Sequence, residues 1–410
     1  MTIRRPTLFA AALVASGLAL AACGSTSTST GGSQAKTTQA KTSTLTCKTS
    51  AVANSGAANA PSGSPAPTSA ASIPTANPAA PVTLHEDGSS LIYPYLLALG
   101  PELPKAYSNI TLSPASGGSG KGQTDAIAGN VQMGGSDAFL SSSQFSANPG
   151  LMNIPIAVSA QAVNYNVPGL VLPSGQTGLH LSGCILANMY MGKITNWNDS
   201  SIAALNPGAK LPNLPIVPIH RVDGSGDTFI FTSFLSDTNS AWASGPSFGT
   251  LVSWPTASQV SADGNPAMVQ ACSANPGCVA YIGVSVESQA SSAGLGEALL
   301  QNQSGNFVLP TGTNMASSVS AGAGRIPADL AVSLIYQKGA DSYPIVNFEY
   351  LVVKKTQTSA ATATAIKDFF SWALSPTGGA TPANLGTVGF IALPSNALPG
   401  VDAEVDSITG

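Results

Sequence analysis

The residue types that could do chemistry are concentrated in residues 220–235, which read HRVDGSGDTFIFTSFL. Arg221 and Asp223 precede a Gly-Ser-Gly turn, residues 224–226, and an apolar run follows. A turn that enters a helix presents unpaired backbone N–H groups at the positive end of the helix dipole, and an arginine can hold two anion oxygens through its planar fork. The glycines let the backbone approach a ligand, and Ser225 adds a hydroxyl. This pattern predicts a site for a small tetrahedral oxyanion; the alternative is a capped core helix beside a surface arginine.

Two further Gly/Ser turns precede predicted helices earlier in the chain. Residues 88–94 read GSSLIYP, and residues 116–122 read SGGSGKG. The second turn superficially resembles the phosphate loop of nucleotide enzymes. Nucleotide hydrolysis is not supported, because Ala115 stands where that motif has its first glycine and Gly122 follows the lysine. Asp137 follows a short predicted strand, a position commonly taken by an ordinary turn or cap residue. Three such turns with one aspartate and one arginine together predict a closed oxyanion site.

The composition limits the classes of protein to which this chain can belong. Charged residues make up only 8% of the 410 residues, the formal net charge is -4, and no basic patch is present. Nucleic acid is therefore not an expected partner. Local groups must bind any anion, because aligned donors in a dry cleft outweigh diffuse surface charges that salt screens. The body that follows the N-terminal segments has about 330 residues, which suits two lobes better than one core.

The N-terminal residues predict export and attachment to a membrane. Residues 1–22 combine two arginines, an apolar run and small residues, as a secretory signal peptide does. They end in Leu-Ala-Ala before Cys23, which resembles the lipobox of bacterial lipoproteins and predicts a diacylglycerol anchor on Cys23. The alternative is an ordinary secreted protein with a cysteine near the cleavage site by chance. Residues 23–81 are rich in Ser, Thr, Ala, Pro and Gly, a composition that predicts a disordered tether.

The remaining cysteines bear on the redox compartment. With Cys23 lipidated, Cys272 and Cys278 are the natural disulfide pair, closing a short loop in an oxidising compartment. Zinc is the rival interpretation of such a close pair, but no histidine or second cysteine pair is near it in the sequence, and no metal site is predicted. Cys184 lies in an apolar helical pattern and is predicted to be buried and inert. The sequence assigns no partner to Cys47.

The body of the chain resembles one known family from about residue 82 to near its C-terminus. In the order and spacing of the PstS-type phosphate-binding proteins of ABC transporters, it carries GSSLIYP, SGGSGKG, GGSDAFLS, ITNWNDSSIAALNPG and HRVDGSGDTFIFTSFLS. Three further segments look especially like the lipid-anchored members from mycobacteria and other actinobacteria: LMNIPIAVSAQAVNYNVPGL, GCVAYIGVS and YPIVNFEYLVV.

The resemblance implies an α/β, two-lobed periplasmic-binding-protein fold of the class II-like kind. The ligand cleft would lie between lobes that are joined by two crossing strands. The first lobe would comprise residues 82–160 and 342–410, and the second residues 161–341. The crossings are expected near residues 160–163 and 342–345. Alternating strand and helix patterns suit this class, and the chain's return to the first lobe implies a hinge that closes around a ligand.

The resemblance also assigns ligand contacts residue by residue. Asp137 matches the acidic acceptor, and Asp223 is expected to hold Arg221. Ser90 stands where many members have threonine, which keeps the hydroxyl. Asp227 also stands where many members have threonine, and because an ionised carboxylate cannot donate, we expect it to offer its backbone N–H and to point its carboxylate away. The implied phosphate contacts are Ser89, Ser90, Leu91, Ser119, Asp137, Arg221, Asp223, Ser225, Gly226 and Asp227.

These features predict an extracytoplasmic, lipid-anchored, monomeric binding protein that delivers inorganic phosphate to the permease of an ABC importer. No cofactor and no catalytic residue are expected. An ionised Asp137 would accept a hydrogen bond from protonated phosphate, whereas fully deprotonated sulfate would leave two buried negative groups unpaired. The alternatives are a binding protein for another oxyanion, such as sulfate or molybdate, and an exported phosphatase or hydrolase. The Gly-x-Ser-x-Gly pattern at residues 245–249 lacks a preceding apolar strand and is predicted to be a loop.

Overall fold

The computed structural model describes residues 76–255, 260–324 and 326–410. The predicted signal peptide, Cys23, Cys47 and the predicted tether up to residue 75 lie outside the described residues. The last residues assigned to the tether contact the body, since the Ala76 backbone N–H donates to the Asp368 carboxylate at 3.0 Å. Across the described ranges, no helix has both the length and the apolar character that a membrane span requires.

A mixed sheet of nine strands forms the centre of the described body, and a smaller sheet of three strands lies apart from it. The strands are β1 (Val82–Gly88), β2 (Ile110–Ser113), β3 (Met133–Ser136), β4 (Leu151–Asn166), β5 (His180–Leu181), β6 (Val217–Arg221), β7 (Val260–Ala262), β8 (Cys278–Gly283), β9 (Gly296–Glu297), β10 (Leu299–Gln301), β11 (Phe307–Val308) and β12 (Val346–Lys354). The order in the large sheet is β2-β1-β3-β12-β4-β8-β6-β7, with β9 paired to β4. The small sheet has the order β11-β10-β5.

Helices alternate with these strands along much of the chain, which places the protein in the α/β class. They are α1 (Tyr93–Leu99), α2 (Leu103–Ala106), α3 (Ser119–Ala128), α4 (Ser142–Ala147), α5 (Gly183–Tyr190), α6 (Ser200–Leu205), α7 (Gly226–Thr238), α8 (Ser240–Ser244), α9 (Gly264–Ala274), α10 (Glu287–Ser292), α11 (Gly312–Gly322), α12 (Ala360–Ala373), α13 (Pro382–Gly386) and α14 (Leu398–Asp406). A short 3₁₀ helix, Val284–Val286, precedes α10.

The long strand β4 links the two halves of the large sheet. Its residues 151–160 pair antiparallel with β12, and its residues 161–166 pair antiparallel with β8. Every residue of β4 except the last is buried, which explains why its sequence is largely apolar without a clean alternation. The change of partner between Ala160 and Gln161 falls at the crossing that the resemblance implied. The exact lobe boundaries stay a prediction.

The Gly/Ser turns lead into helices, as predicted. Gly118 has φ of 86° and precedes α3, in a backbone region that favours glycine. Ser225 caps α7, because its side-chain oxygen accepts the backbone N–H of Thr228 at 3.3 Å. The turn that ends β1 leads into α1, with a proline in the first helical turn. The sequence therefore places three backbone turns at the ends of strands β1, β2 and β6.

The predicted cysteine pair and the predicted loop are confirmed. Cys272 in α9 and Cys278 at the start of β8 form a disulfide with a Cα–Cα distance of 5.3 Å. Residues 245–249 follow α8 directly and contain neither strand nor helix. Cys184 is buried, as predicted, but the prediction that it is inert was wrong because it is disulfide-bonded.

Replacing Cys272 and Cys278 together with alanine should lower the free energy of unfolding by about 2 kcal/mol, because cross-linking a short loop restricts the unfolded chain by roughly that amount. Both side chains are fully buried, so alanine is preferable to serine. Urea unfolding followed by circular dichroism measures the difference. Ser273→Ala, at an exposed position of the same loop, is the matched control. A double variant as stable as the parent protein would contradict this expectation.

Candidate anion-binding site

Asp137 lies directly after β3, and the three turns converge on its buried side chain. One carboxylate oxygen accepts the hydroxyl of Ser89, and the other accepts the hydroxyl of Ser119 at 3.3 Å. Gly226 packs against the same point, since a Cβ there would lie 2.5 Å from both Asp137 Oδ2 and Ser119 Oγ. Only glycine fits that approach. The structure thus brings together the acidic residue and the three turns that the sequence singled out.

Arg221, the last residue of β6, is 2% exposed and makes a dense set of contacts. Its Nε donates to Asp223 Oδ1 at 2.6 Å, and its Nη2 donates to the other oxygen of the same carboxylate. Its Nη1 donates to Asp227 Oδ2 at 2.7 Å and to Ser90 Oγ at 3.1 Å. The backbone N–H of Arg221 donates to the Tyr281 hydroxyl at 2.8 Å. The guanidinium is therefore fixed in position by partners on both its edges.

The Asp227 carboxylate points into the site. Its Oδ2 accepts from Arg221 and, at 2.8 Å, from Asn265 Nδ2, and its Oδ1 accepts from Gln161 Nε2 at 3.1 Å. The expectation that this carboxylate points away was wrong. The physical reason is that a buried guanidinium needs an anionic partner on Nη1, and two buried amides stabilise the carboxylate that provides it.

The remaining predicted residues lie around the same point. The Leu91 backbone N–H donates to Ser89 Oγ at 3.0 Å, and Ser90 Oγ accepts the Asn265 backbone N–H at 3.0 Å. The hydroxyl of Ser225 is engaged in capping α7 rather than directed at a neighbouring turn. All ten predicted positions are thus brought to one region, while their roles as phosphate contacts stay predictions.

The turns before α3 and α7 touch each other directly. The Gly120 backbone N–H donates to the Gly224 carbonyl at 2.7 Å. A Cβ on Gly118 would lie 2.5 Å from Asp223 Oδ2, so that glycine allows the close approach. The resemblance assigns these two turns to different lobes. With the predicted lobe boundaries, this contact would close the cleft between the lobes at the site.

Comparisons with known proteins agree on one family. A model of the PBP superfamily domain matches residues 65–377. The chain is 34% identical over 312 residues to the phosphate-binding protein PstS of Methanocaldococcus jannaschii, covering 71% of this chain and 77% of that protein. The chain belongs to the PstS family. It is also 29% identical over 311 residues to phosphate-binding protein PstS3 of Mycobacterium bovis, covering 73% of this chain and 79% of that protein.

Solved structures confirm the fold expected of the PstS family. An ancestral soluble variant of the human phosphate-binding protein superposes with a TM-score of 0.59 at 20% identity, covering 78% of this chain and 93% of that chain. The likeness supports the predicted two-lobed α/β periplasmic-binding-protein fold with a cleft between the lobes.

Sequence reasoning missed several residues of the site. Glu349 on β12 is fully buried, accepts from Ser159 Oγ and, at 3.0 Å, from Asn347 Nδ2, and also contacts the Asp137 side chain. The sequence did contain a signal for Glu349, because a lone glutamate in the apolar strand NFEYLVV needs a buried partner. Asn265 carried no comparable signal in the sequence.

The site places the carboxyl groups of Asp137, Asp223, Asp227 and Glu349 around the guanidinium of Arg221. The pKa values of three of these carboxyl groups are raised. Burial, reinforced by the nearby Glu349 carboxylate, raises the pKa of Asp137 well above its usual range. Burial and the charge of Asp137 raise the pKa of Asp227 to about 7, against the opposing effect of Arg221. Burial likewise raises the pKa of Glu349 to about 7. The site therefore retains protons near neutral pH.

The thermal midpoint of the phosphate-free protein should fall as the pH rises from about 5 to about 8. Asp227 and Glu349 have pKa values of about 7 in the folded chain, against about 4 in an unfolded chain. Because the folded state binds these protons more tightly, the resulting stabilisation is complete below about pH 4 and is lost as the pH rises through about 7. Differential scanning calorimetry in phosphate-free buffers measures the profile.

The variant Asp227→Asn should show a smaller fall over the same range, because it removes one of the titrating groups. Asp406→Asn, which changes an exposed carboxylate, is the control and should follow the parent profile. A midpoint that rises between about pH 5 and pH 8, or an equal fall in both variants, would show that these buried carboxylates do not govern the profile.

Proposed function

We propose that the chain is the extracytoplasmic solute-binding protein of an ABC-type phosphate importer and that it captures inorganic phosphate between its lobes. The observation that carries this proposal is the convergence of one guanidinium, several hydroxyls and one acidic acceptor on a buried point at the starts of α3 and α7. Membership of the PstS family supports it, because the relatives compared above are named phosphate-binding proteins.

The donors suit a tetrahedral oxyanion. Arg221 supplies a positive charge and a planar fork, and Ser90 and Ser119 supply hydroxyls. Helices α3 and α7 begin at the site, so their first backbone N–H groups and the positive ends of their dipoles lie there. A compact anion with four oxygens can use donors from several directions at once.

Asp137 favours a ligand that carries its own proton. In a buried site with one guanidinium and several carboxylates, a bare oxygen facing Asp137 would add an unpaired negative charge. A phosphate hydroxyl instead donates a hydrogen bond to the Asp137 carboxylate, which suits phosphate better than fully deprotonated sulfate or molybdate. The Asp137 carboxylate would thus contribute to selectivity by disfavouring the binding of anions that carry no proton.

Capture would proceed by closure of the lobes, residues 82–160 with 342–410 against residues 161–341. The continuous strand β4, which changes partner at Gln161, supports a crossing at that point. The hydrogen bond between Gly120 and Gly224 would break to admit phosphate and form again around it.

The N-terminal sequence supports an extracytoplasmic, lipid-anchored location. Residues 1–22 would direct export, Cys23 would carry the lipid anchor, and residues 23–81 would tether the body near the permease. The disulfide between Cys272 and Cys278 suits an oxidising compartment. The body would act as a monomer that delivers phosphate to the membrane subunits of the importer.

The binding protein would perform no chemistry on its ligand. His220, the histidine adjacent to Arg221, is stacked on Trp254 and places Nδ1 against the Arg221 carbonyl, so it is not poised as a base for a site serine. Among the described residues, no group of three His, Cys, Asp or Glu side chains is arranged to hold a metal ion. An exported phosphatase would need such a base or metal beside its nucleophile.

Titration calorimetry of the phosphate-stripped protein tests the proposal. The parent protein should bind phosphate and ignore sulfate. Asp137→Asn should weaken phosphate binding by roughly 10–100-fold, the usual worth of a hydrogen bond to a charged group, and should gain sulfate binding. Asp368→Asn removes an equally buried carboxylate on α12 and should leave both titrations unchanged.

Two results would count against the proposal. A folded, stripped parent protein that does not bind phosphate would show that the ligand is a different oxyanion or none. Turnover of a phosphate ester by the purified protein would favour the hydrolase alternative instead.

A further inference from the structure

Glu349 lies beside Asp137, and Asn347 Nδ2 donates both to Glu349 Oε1 at 3.0 Å and to the Asp137 carbonyl at 3.4 Å. It is fully buried on β12, and the pairing of β12 with β4 shifts register between Glu349 and Tyr350. Irregularities of this kind are common beside functional sites, where they change the direction of a side chain. The Glu349 carboxyl contacts the Asp137 carboxyl, although none of the implied ligand contacts includes it.

The two carboxyls have no donor between them unless one carries a proton. Glu349 Oε1 accepts from Ser159 and Asn347, while Oε2 is buried and, within the described residues, has no hydrogen-bond partner. The Asp137 oxygens accept from the hydroxyls of Ser89 and Ser119. Two buried carboxyls in contact cannot both ionise without a large cost, and such pairs hold one proton between them.

The surrounding charges strengthen this requirement. Among the described residues that contact the cluster, Arg221 is the one cation, and it is already paired with Asp223 and Asp227. Asp227 faces the pair from the start of α7 and adds negative charge, and Tyr350 follows Glu349 on β12. A phosphate anion adds further negative charge to the same volume. Capture is therefore favoured only when the cluster holds enough protons.

We propose that Glu349 is a positioning residue for phosphate capture: its carboxyl shares one proton with Asp137, and the pair must hold that proton for phosphate to bind. This inference rests on the proposed function and extends it. With the proton on Glu349 Oε2, the Glu349 hydroxyl donates to Asp137, and Asp137 remains an acceptor for a phosphate hydroxyl. When the pair has lost its proton, binding of monohydrogen phosphate takes one proton from solvent onto Oε2, and release returns it.

The pH range follows from the burial of the pair. Burial raises the pKa of Glu349 to about 7 and raises that of Asp137 well above its usual range. Above about pH 8.5 phosphate is almost wholly the monohydrogen dianion, so its own second titration no longer changes the affinity. A remaining loss of affinity of up to tenfold per pH unit would then report one proton taken up by the protein on binding.

Calorimetric titration with inorganic phosphate at about pH 8, in two buffers of different ionisation enthalpy, counts the protons taken up. The parent protein should take up a substantial fraction of one proton per phosphate. Glu349→Gln should take up fewer, because its amide donates permanently to Asp137, and its affinity should depend less on pH between about 8.5 and 9.5.

Glu297→Gln is the matched control. Burial also raises the pKa of Glu297 to about 7, and the neighbouring charge there is Glu287 rather than Asp137. Its proton uptake and pH dependence should equal those of the parent. Asp227→Asn measures the share of uptake that belongs to Asp227, so that share is not assigned to Glu349.

The outcomes separate this inference from the proposed function. If the parent protein does not bind phosphate, the proposed function fails. If the parent binds phosphate without proton uptake at about pH 8, or if Glu349→Gln takes up as many protons as the parent, the inference fails while the function stands. A folded Glu349→Gln protein that binds no phosphate at any pH would assign Glu349 to packing alone and would also overturn the inference.

Discussion

The ion pairs of one buried guanidinium constrain the rest of the site. Arg221 is almost completely excluded from solvent, and an unpaired buried cation would cost several kcal/mol. Asp223 satisfies one edge of the guanidinium, and Asp227 satisfies Nη1. Asp227 in turn needs donors, which Asn265 and Gln161 provide. Each buried polar group thus needs a hydrogen-bond or ion-pair partner that is itself buried. The resulting network extends from β6 to β4 and α9.

The large sheet brings these groups together from distant parts of the chain. Strand β6 ends at Arg221 and α7 begins five residues later at Gly226, so one short turn delivers both the guanidinium and a helix start. Strand β4 presents Gln161 where its pairing changes from β12 to β8. Strand β12 presents Glu349 to the side chain of Asp137. The sheet therefore supplies the side chains of Arg221, Gln161 and Glu349, and the three turns supply the remaining groups of the site.

The parts of the site that sequence could predict are local ones. Gly-Ser turns, Arg221 and Asp137 carry short-range signals, and the structure brings these residues to one region. Contacts such as Gln161 to Asp227, 66 positions apart, arise only from the sheet topology and have no local pattern. The direction of the Asp227 carboxylate was mispredicted because it depends on charge balance around Arg221 rather than on the turn that holds it. The disulfide of Cys184 was missed because an apolar helical pattern does not distinguish a bonded cysteine from a free one.

The resemblance to PstS-type proteins places a threonine, in many members, where this chain has Asp227, and this difference would change how the proposed site meets an anion. A threonine hydroxyl can donate to a ligand at any pH, whereas a carboxylate can donate only when it is protonated. Because burial and the charge of Asp137 raise the pKa of Asp227 to about 7, a sizeable fraction of the side chain is protonated near neutrality. In that fraction Asp227 is neutral and carries a hydroxyl donor, as threonine does. In the remainder it would compete with a phosphate bound as proposed for Arg221. The same residue therefore stabilises the guanidinium and makes the availability of its Nη1 donor depend on pH.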